Sequence, residues 1–141
     1  MNILSNNWWK KENTGKLALD VTATGGGATA FLYDNMIVVD FLNTATTASY
    51  VITTPMGFTV VDVHTQADVA ATGAVIYVDN GSTHITSDVG GATDALITRT
   101  TSIVDSAATF LKGDNDLTIS ASATATAAPA NSKVIISIKP T

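Results

Sequence analysis

The stretch Val75-Ile76-Tyr77-Val78-Asp79-Asn80-Gly81-Ser82-Thr83-His84-Ile85-Thr86 decides the fold of this 141-residue chain. Residues 73–78 form a β-branched and aromatic run, Asp79-Asn80-Gly81 reads as a turn, and 82–86 return as a second strand. Asn-Gly between two such runs is the strongest short-range hairpin signal, because a tight hairpin needs positive φ at its centre. The same grammar repeats outward. Strands are predicted at 30–33 and 36–42, flanking the tight turn Asp34-Asn35, and at 49–53, where Thr54-Pro55 ends pairing. Further strands are predicted at 57–63, 95–100, 102–104, 109–112, 117–124 and 133–139. In 57–63, Phe58, Val60 and Asp62 alternate against Thr59, Val61 and Val63. In 133–139, Val134, Ile136 and Ile138 oppose Ile135 and Ser137. Residues 105–110 predict one helical turn, and 22–29, with Gly25-Gly26-Gly27, read as a flexible loop. The resulting class is all-β: a β-sandwich or jelly-roll-like single domain over 16–141, preceded by an extended N-terminal arm over 1–15.

Composition narrows the function. Only 13% of residues are charged, about half of the roughly 25% found in ordinary globular domains. A neutral, Thr-rich β-surface of this kind is one that neighbours cover. There are 0 Cys, which excludes disulfides, Cys-ligated zinc and thiol chemistry. The net charge is −5, and the cations Lys10, Lys11, Lys16, Arg99, Lys112, Lys133 and Lys139 lie mostly near the two ends. Phosphate-backbone binding needs several convergent cations, so no nucleic-acid partner is expected. No apolar run approaches the roughly 20 residues of a membrane span, and the opening residues lack a secretory signal. No membrane partner is expected.

No motif identifies a reaction. His64 and His84 are far apart, and no Gly-x-Ser-x-Gly elbow accompanies either, so a Ser-His-Asp set built from His84, a nearby Ser and any Asp carries little information. The segment Lys112-Gly113-Asp114-Asn115-Asp116 reads as a hairpin turn. Its alternative is calcium ligation by Asp114 and Asp116, with Asp105 approaching, although the later Gly and Glu of an EF-hand loop are missing. No catalytic residue, cofactor or metal is assigned. Trp8-Trp9-Lys10-Lys11 is the unusual cluster. Each indole buries about 150–250 Å² when covered, and tryptophan is enriched at binding hot spots. Ile3, Leu4, Trp8, Trp9, Lys10 and Lys11 are therefore the candidate partner contacts; the alternative is that the indoles close the chain's own core.

From about residue 56 onward the chain resembles the decoration (cement) proteins on the heads of tailed bacteriophages. The resemblance rests on Gly57-Phe58-Thr59-Val60-Val61-Asp62-Val63, on Val75-Ile76-Tyr77-Val78-Asp79-Asn80-Gly81, on Lys112-Gly113-Asp114-Asn115-Asp116-Leu117-Thr118-Ile119, and on the strand Val134 to Ile138. It is a likeness of style without a diagnostic motif. It implies a non-enzymatic homotrimer on the capsid exterior, with the major capsid protein as partner and an N-terminal arm making contact. Phage tail, fibre or baseplate subunits share the style, and a carbohydrate-binding module using Tyr33, Tyr50 or Tyr77 as stacking platforms is the rival from another class.

Overall fold

The computed structural model describes residues 16–45, 47–69, 75–87, 89–90, 97–122 and 130–141. Within these residues the strands are β1 (Leu17–Leu19), β2 (Val21–Thr24), β3 (Gly26–Tyr33), β4 (Met36–Asn43), β5 (Thr47–Ile52), β6 (Phe58–Val69), β7 (Val75–Asn80), β8 (Thr83–His84), β9 (Val89–Gly90), β10 (Ile97–Arg99), β11 (Thr109–Phe110), β12 (Leu117–Ser122) and β13 (Ala130–Pro140). They build two antiparallel sheets. The larger runs β1-β3-β4-β13-β6-β10, with β11 also on β6; the smaller runs β2-β5-β12-β7-β8, with β9 also on β7.

Period-two alternation explains the packing. Ile37, Val39 and Phe41 of β4, and Val134, Ile136 and Ile138 of β13, face Tyr50 and Ile52 of β5, Ile76 and Val78 of β7, and Leu117 and Ile119 of β12 in one buried core. Each fully buried side chain of this size contributes about 1.5–3 kcal/mol of transfer free energy. The chain is thus an all-β, sandwich-like domain.

Turn chemistry follows the sequence at Asp34-Asn35. Tyr33 pairs with Met36, and the two central residues take φ of 49° and 38°, as a two-residue primed hairpin demands. The second hairpin is shifted by one residue from the reading. Asn80 pairs with Thr83, so Gly81-Ser82 is the turn and Gly81 alone supplies positive φ, at 59°. Asn80 instead closes β7, and its side-chain amide donates to the Ala107 carbonyl at 2.8 Å.

Four further expectations are corrected. Residues 22–29 are not a flexible loop: β2 ends at Thr24, Gly25 turns the chain with φ 77°, and β3 begins at Gly26 in the other sheet. Glycine is needed here because the backbone passes close to other strands, not because the segment is loose. Second, β6 carries a bulge: Ser137 pairs with Asp62 while Ile138 pairs with Val60. The extra residue, Val61, reverses the alternation, so Val63 is buried and Asp62 is turned outward. Third, the strand at 102–104 reduces to one bridge, Thr86 to Ile103. Fourth, the strand at 109–112 stops at Phe110, because Leu111 to Asp114 turn back to meet Thr54. The predicted helical turn is a short 3-10 turn at Asp105–Ala107.

Candidate functional site

The candidate contacts Ile3, Leu4, Trp8, Trp9, Lys10 and Lys11 lie outside the described residues. The first described residue, Lys16, places its ammonium 4.6 Å from the centre of the Phe31 ring. Because Ala18 pairs with Phe31 and Phe31 with Val38, the Lys16 side chain lies on the outer face of the larger sheet, at its β1 edge.

That face is built row by row. Phe31, Val38, Ile135, His64 and Arg99 align across five strands. Tyr33, Met36, Ser137 and Asp62 form the row beside them, and Thr29, Asp40, Lys133 and Gln66 the row on the other side. The face therefore carries an apolar band at its β3–β4 end, with Tyr33 40% and Leu42 47% exposed. A groove of about 600 Å³ opens near the opposite end of those strands, lined among others by Gly27, Thr29, Asp40, Leu42, Gln66 and Lys133. The charges flanking the band are paired: Lys133 with Asp40 at 3.5 Å, and Arg99 with Asp62 at 3.0 Å. Partial burial pushes the Asp62 carboxyl upward, but hydrogen bonds from Arg99 and the Val63 N–H, with the charges of His64 and Arg99, hold it below its ordinary value. Exposed pairs like these add little stability.

Sequence reading missed this face, although a signal was present. Met36 to Leu42 is apolar on both phases of the strand except at Asp40, and a strand with two apolar faces is one whose outer side is covered as well.

The outer face of the smaller sheet has a different character. Thr22, Val51 and Thr118 form one row, and Thr24, Ser49, Ser120 and Tyr77 the next. At its β7–β8 end the structure does bring Ser, Asp and His together. Asp79 is only 4% exposed. One of its carboxylate oxygens accepts from the Ser120 hydroxyl, and the other meets Nδ1 of His84. The His84 ring stacks on Tyr77 with centroids 3.9 Å apart. The order is serine–aspartate–histidine. A catalytic triad needs the imidazole between the other two, so that the base can take the hydroxyl proton. Here the carboxylate receives both donors, which fixes β8 and the hairpin against β12. Asp79→Ala strands the half-buried Ser120 hydroxyl and frees the Tyr77–His84 stack, so we expect a loss of about 2 kcal/mol by urea unfolding. The exposed Asp105→Ala is expected to cost under about 0.5 kcal/mol.

His64 sits elsewhere, on the larger sheet, with Nε2 3.9 Å from Asp62. The segment 112–116 is a pinned turn. Gly113 takes φ 83°, its N–H donates to the Thr54 carbonyl at 2.8 Å, and Asp114 accepts from the Leu111 N–H at 3.2 Å. The Thr54 hydroxyl reaches back to the Leu111 carbonyl. Among the described residues, no group of three or more His, Cys, Asp or Glu converges as a metal site would require, and no helix is long and apolar enough to cross a membrane. No family model, no curated protein and no solved structure matches this chain.

Proposed function

We propose that this chain is a virion structural protein, a capsid decoration protein that binds the outer surface of an assembled phage head and clamps neighbouring capsid subunits. The observation that carries this reading is the outer face of the larger sheet. A partly exposed apolar band beside an open groove, with Tyr33 and Leu42 exposed at its two ends, on a domain with few charges, suits a surface that partners cover. Clamping requires many modest contacts repeated over a shell, and multivalency supplies the strength that a single weak contact lacks. The major capsid protein is the partner, the oligomer is a homotrimer, and Ile3, Leu4, Trp8, Trp9, Lys10 and Lys11 are the anchoring residues. Binding alone accounts for the activity; no cofactor enters.

The test is deletion of residues 1–11. We expect the truncated chain to keep its far-UV circular dichroism and to lose co-sedimentation with purified heads by tenfold or more. Binding as tight as that of the full chain would contradict the arm's role.

A further inference from the structure

We propose that Asn80-Gly81 is a latent deamidation site, held closed in the folded domain by hydrogen bonds on both reacting groups and opened when the β7–β8 hairpin lifts. It is the one Asn-Gly step in the sequence. In such a step the Gly81 nitrogen, once its proton has gone to hydroxide, attacks the side-chain carbonyl carbon of Asn80. A nitrogen–carbon bond forms, the Cγ–Nδ2 bond breaks, and the side-chain nitrogen leaves as ammonia. The cyclic imide then takes up a water at either carbonyl and opens to aspartate or isoaspartate. Glycine favours this ring closure because no Cβ crowds its nitrogen and its φ is free.

Burial does not protect the site. Asn80 is half-buried and Gly81 is exposed. Among the described residues, a Cβ built on Gly81 meets only Asp116 Oδ1, at 3.8 Å. Protection comes from where the reacting groups point. The Gly81 N–H donates to the Asp116 carbonyl at 2.8 Å, so the proton that must leave faces an oxygen too weakly basic to take it. The side chain of Asn80 is held by a different segment: Nδ2 donates to the carbonyls of Ala107, at 2.8 Å, and Thr109, at 3.3 Å. Across the strands, Asn80 pairs with Leu117 of β12 and with Thr83 of β8. Ring closure therefore needs both the amide and the Gly81 N–H to leave their carbonyls, which is a local opening of the hairpin.

The product cannot rebuild the lock. The aspartate product turns carboxylate oxygens towards the two carbonyls that the amide had satisfied, and it adds charge beside the buried Asp79. The isoaspartate product lengthens the backbone of β7 by a methylene, which breaks the register with Leu117 and Thr83. The reaction thus runs one way, and it marks chains whose hairpin has opened.

The test follows conversion at Asn80 in the full-length chain, with and without guanidinium chloride, at one neutral pH and temperature. Peptide mass mapping reads the product, with isoaspartate resolved by chromatography. We expect conversion at least tenfold slower in the folded chain, because the open hairpin is a minor population. Asp79→Ala loosens the same hairpin from β12, and is expected to speed conversion about tenfold in the folded state while leaving the rate in guanidinium within about twofold. Asn80→Asp stands for one product, and is expected to lower Tm by at least about 4 °C.

Equal rates with and without guanidinium would overturn the proposal. So would a folded Asp79→Ala chain that converts as slowly as the wild type. An Asn80→Asp variant as stable as the wild type would overturn the one-way consequence. The wild-type rates decide the lock whether or not that variant folds.

Discussion

Phe58→Ala is expected to lower stability by about 4 kcal/mol, the middle of the range for emptying a buried aromatic site. Phe58 is fully buried at the start of β6, pairs in register with Phe110, and stacks on it with ring centroids 5.2 Å apart. The same strand end is closed by Pro140 of β13. The two rings therefore plug one end of the sandwich, and Phe110 alone cannot fill the space that Phe58 leaves. For a chain of this length, the change corresponds to a fall in Tm of about 10–15 °C. Leu111→Ala is the control. Leu111 follows Phe110 in sequence but is 66% exposed, so its truncation should cost under about 0.5 kcal/mol. Equal losses at the two positions in calorimetry would mean that the plug is not where the packing puts it.

Gly26→Ala is the second large effect, expected at about 3 kcal/mol, near the upper end of ordinary overpacking. A methyl on Gly26 would press into the Leu42 carbonyl and the Tyr50 hydroxyl. Neither can give way easily. The carbonyl belongs to the β4 backbone, and the Tyr50 ring is fully buried, with its hydroxyl donating to Asn43 Oδ1 at 2.6 Å. Burial also pushes the Tyr50 phenol above its ordinary value, so the hydroxyl stays protonated as that hydrogen bond requires. The adjacent Gly27→Ala is the contrast. Its Cβ meets nothing within 4 Å, and restricting the unfolded chain there should leave stability within about 0.5 kcal/mol of the wild type. Chemical unfolding of the pair separates close approach from mere flexibility. If Gly26→Ala were as mild as Gly27→Ala, the corner between the sheets would be looser than described.

These glycines also show why parts of the fold escaped the sequence. Asp34-Asn35, Thr54-Pro55 and the alternation of Val134, Ile136 and Ile138 depend on local rules, and each lies where it was expected. Gly25 and Gly26 obey a distant constraint. Their role is set by Leu42, Thr47 and Tyr50, which local reading cannot place beside them, so a tight corner between strands looks like a loop. Val61 is similar: one inserted residue exchanges the faces of Asp62 and Val63, and nothing in the run Val60-Val61-Asp62-Val63 marks which residue is extra. Asp79 looked like a turn residue next to Asn80-Gly81. Its burial depends on Ser120, which reaches it only because β12 lies beside β7. The outer face of the larger sheet was partly legible in the doubly apolar strand 36–42. Its groove arises from the register of β3, β4, β13 and β6, which the chain determines only once folded.

The proposed attachment of this protein to the outside of a capsid shell is tested most directly by its copy number in particles purified by gradient sedimentation. Quantitative mass spectrometry should find it near-stoichiometric with the major capsid protein, or at a fixed simple fraction of it. A handful of copies per particle would contradict decoration in favour of a tail or fibre position, and absence from particles would contradict the virion reading altogether.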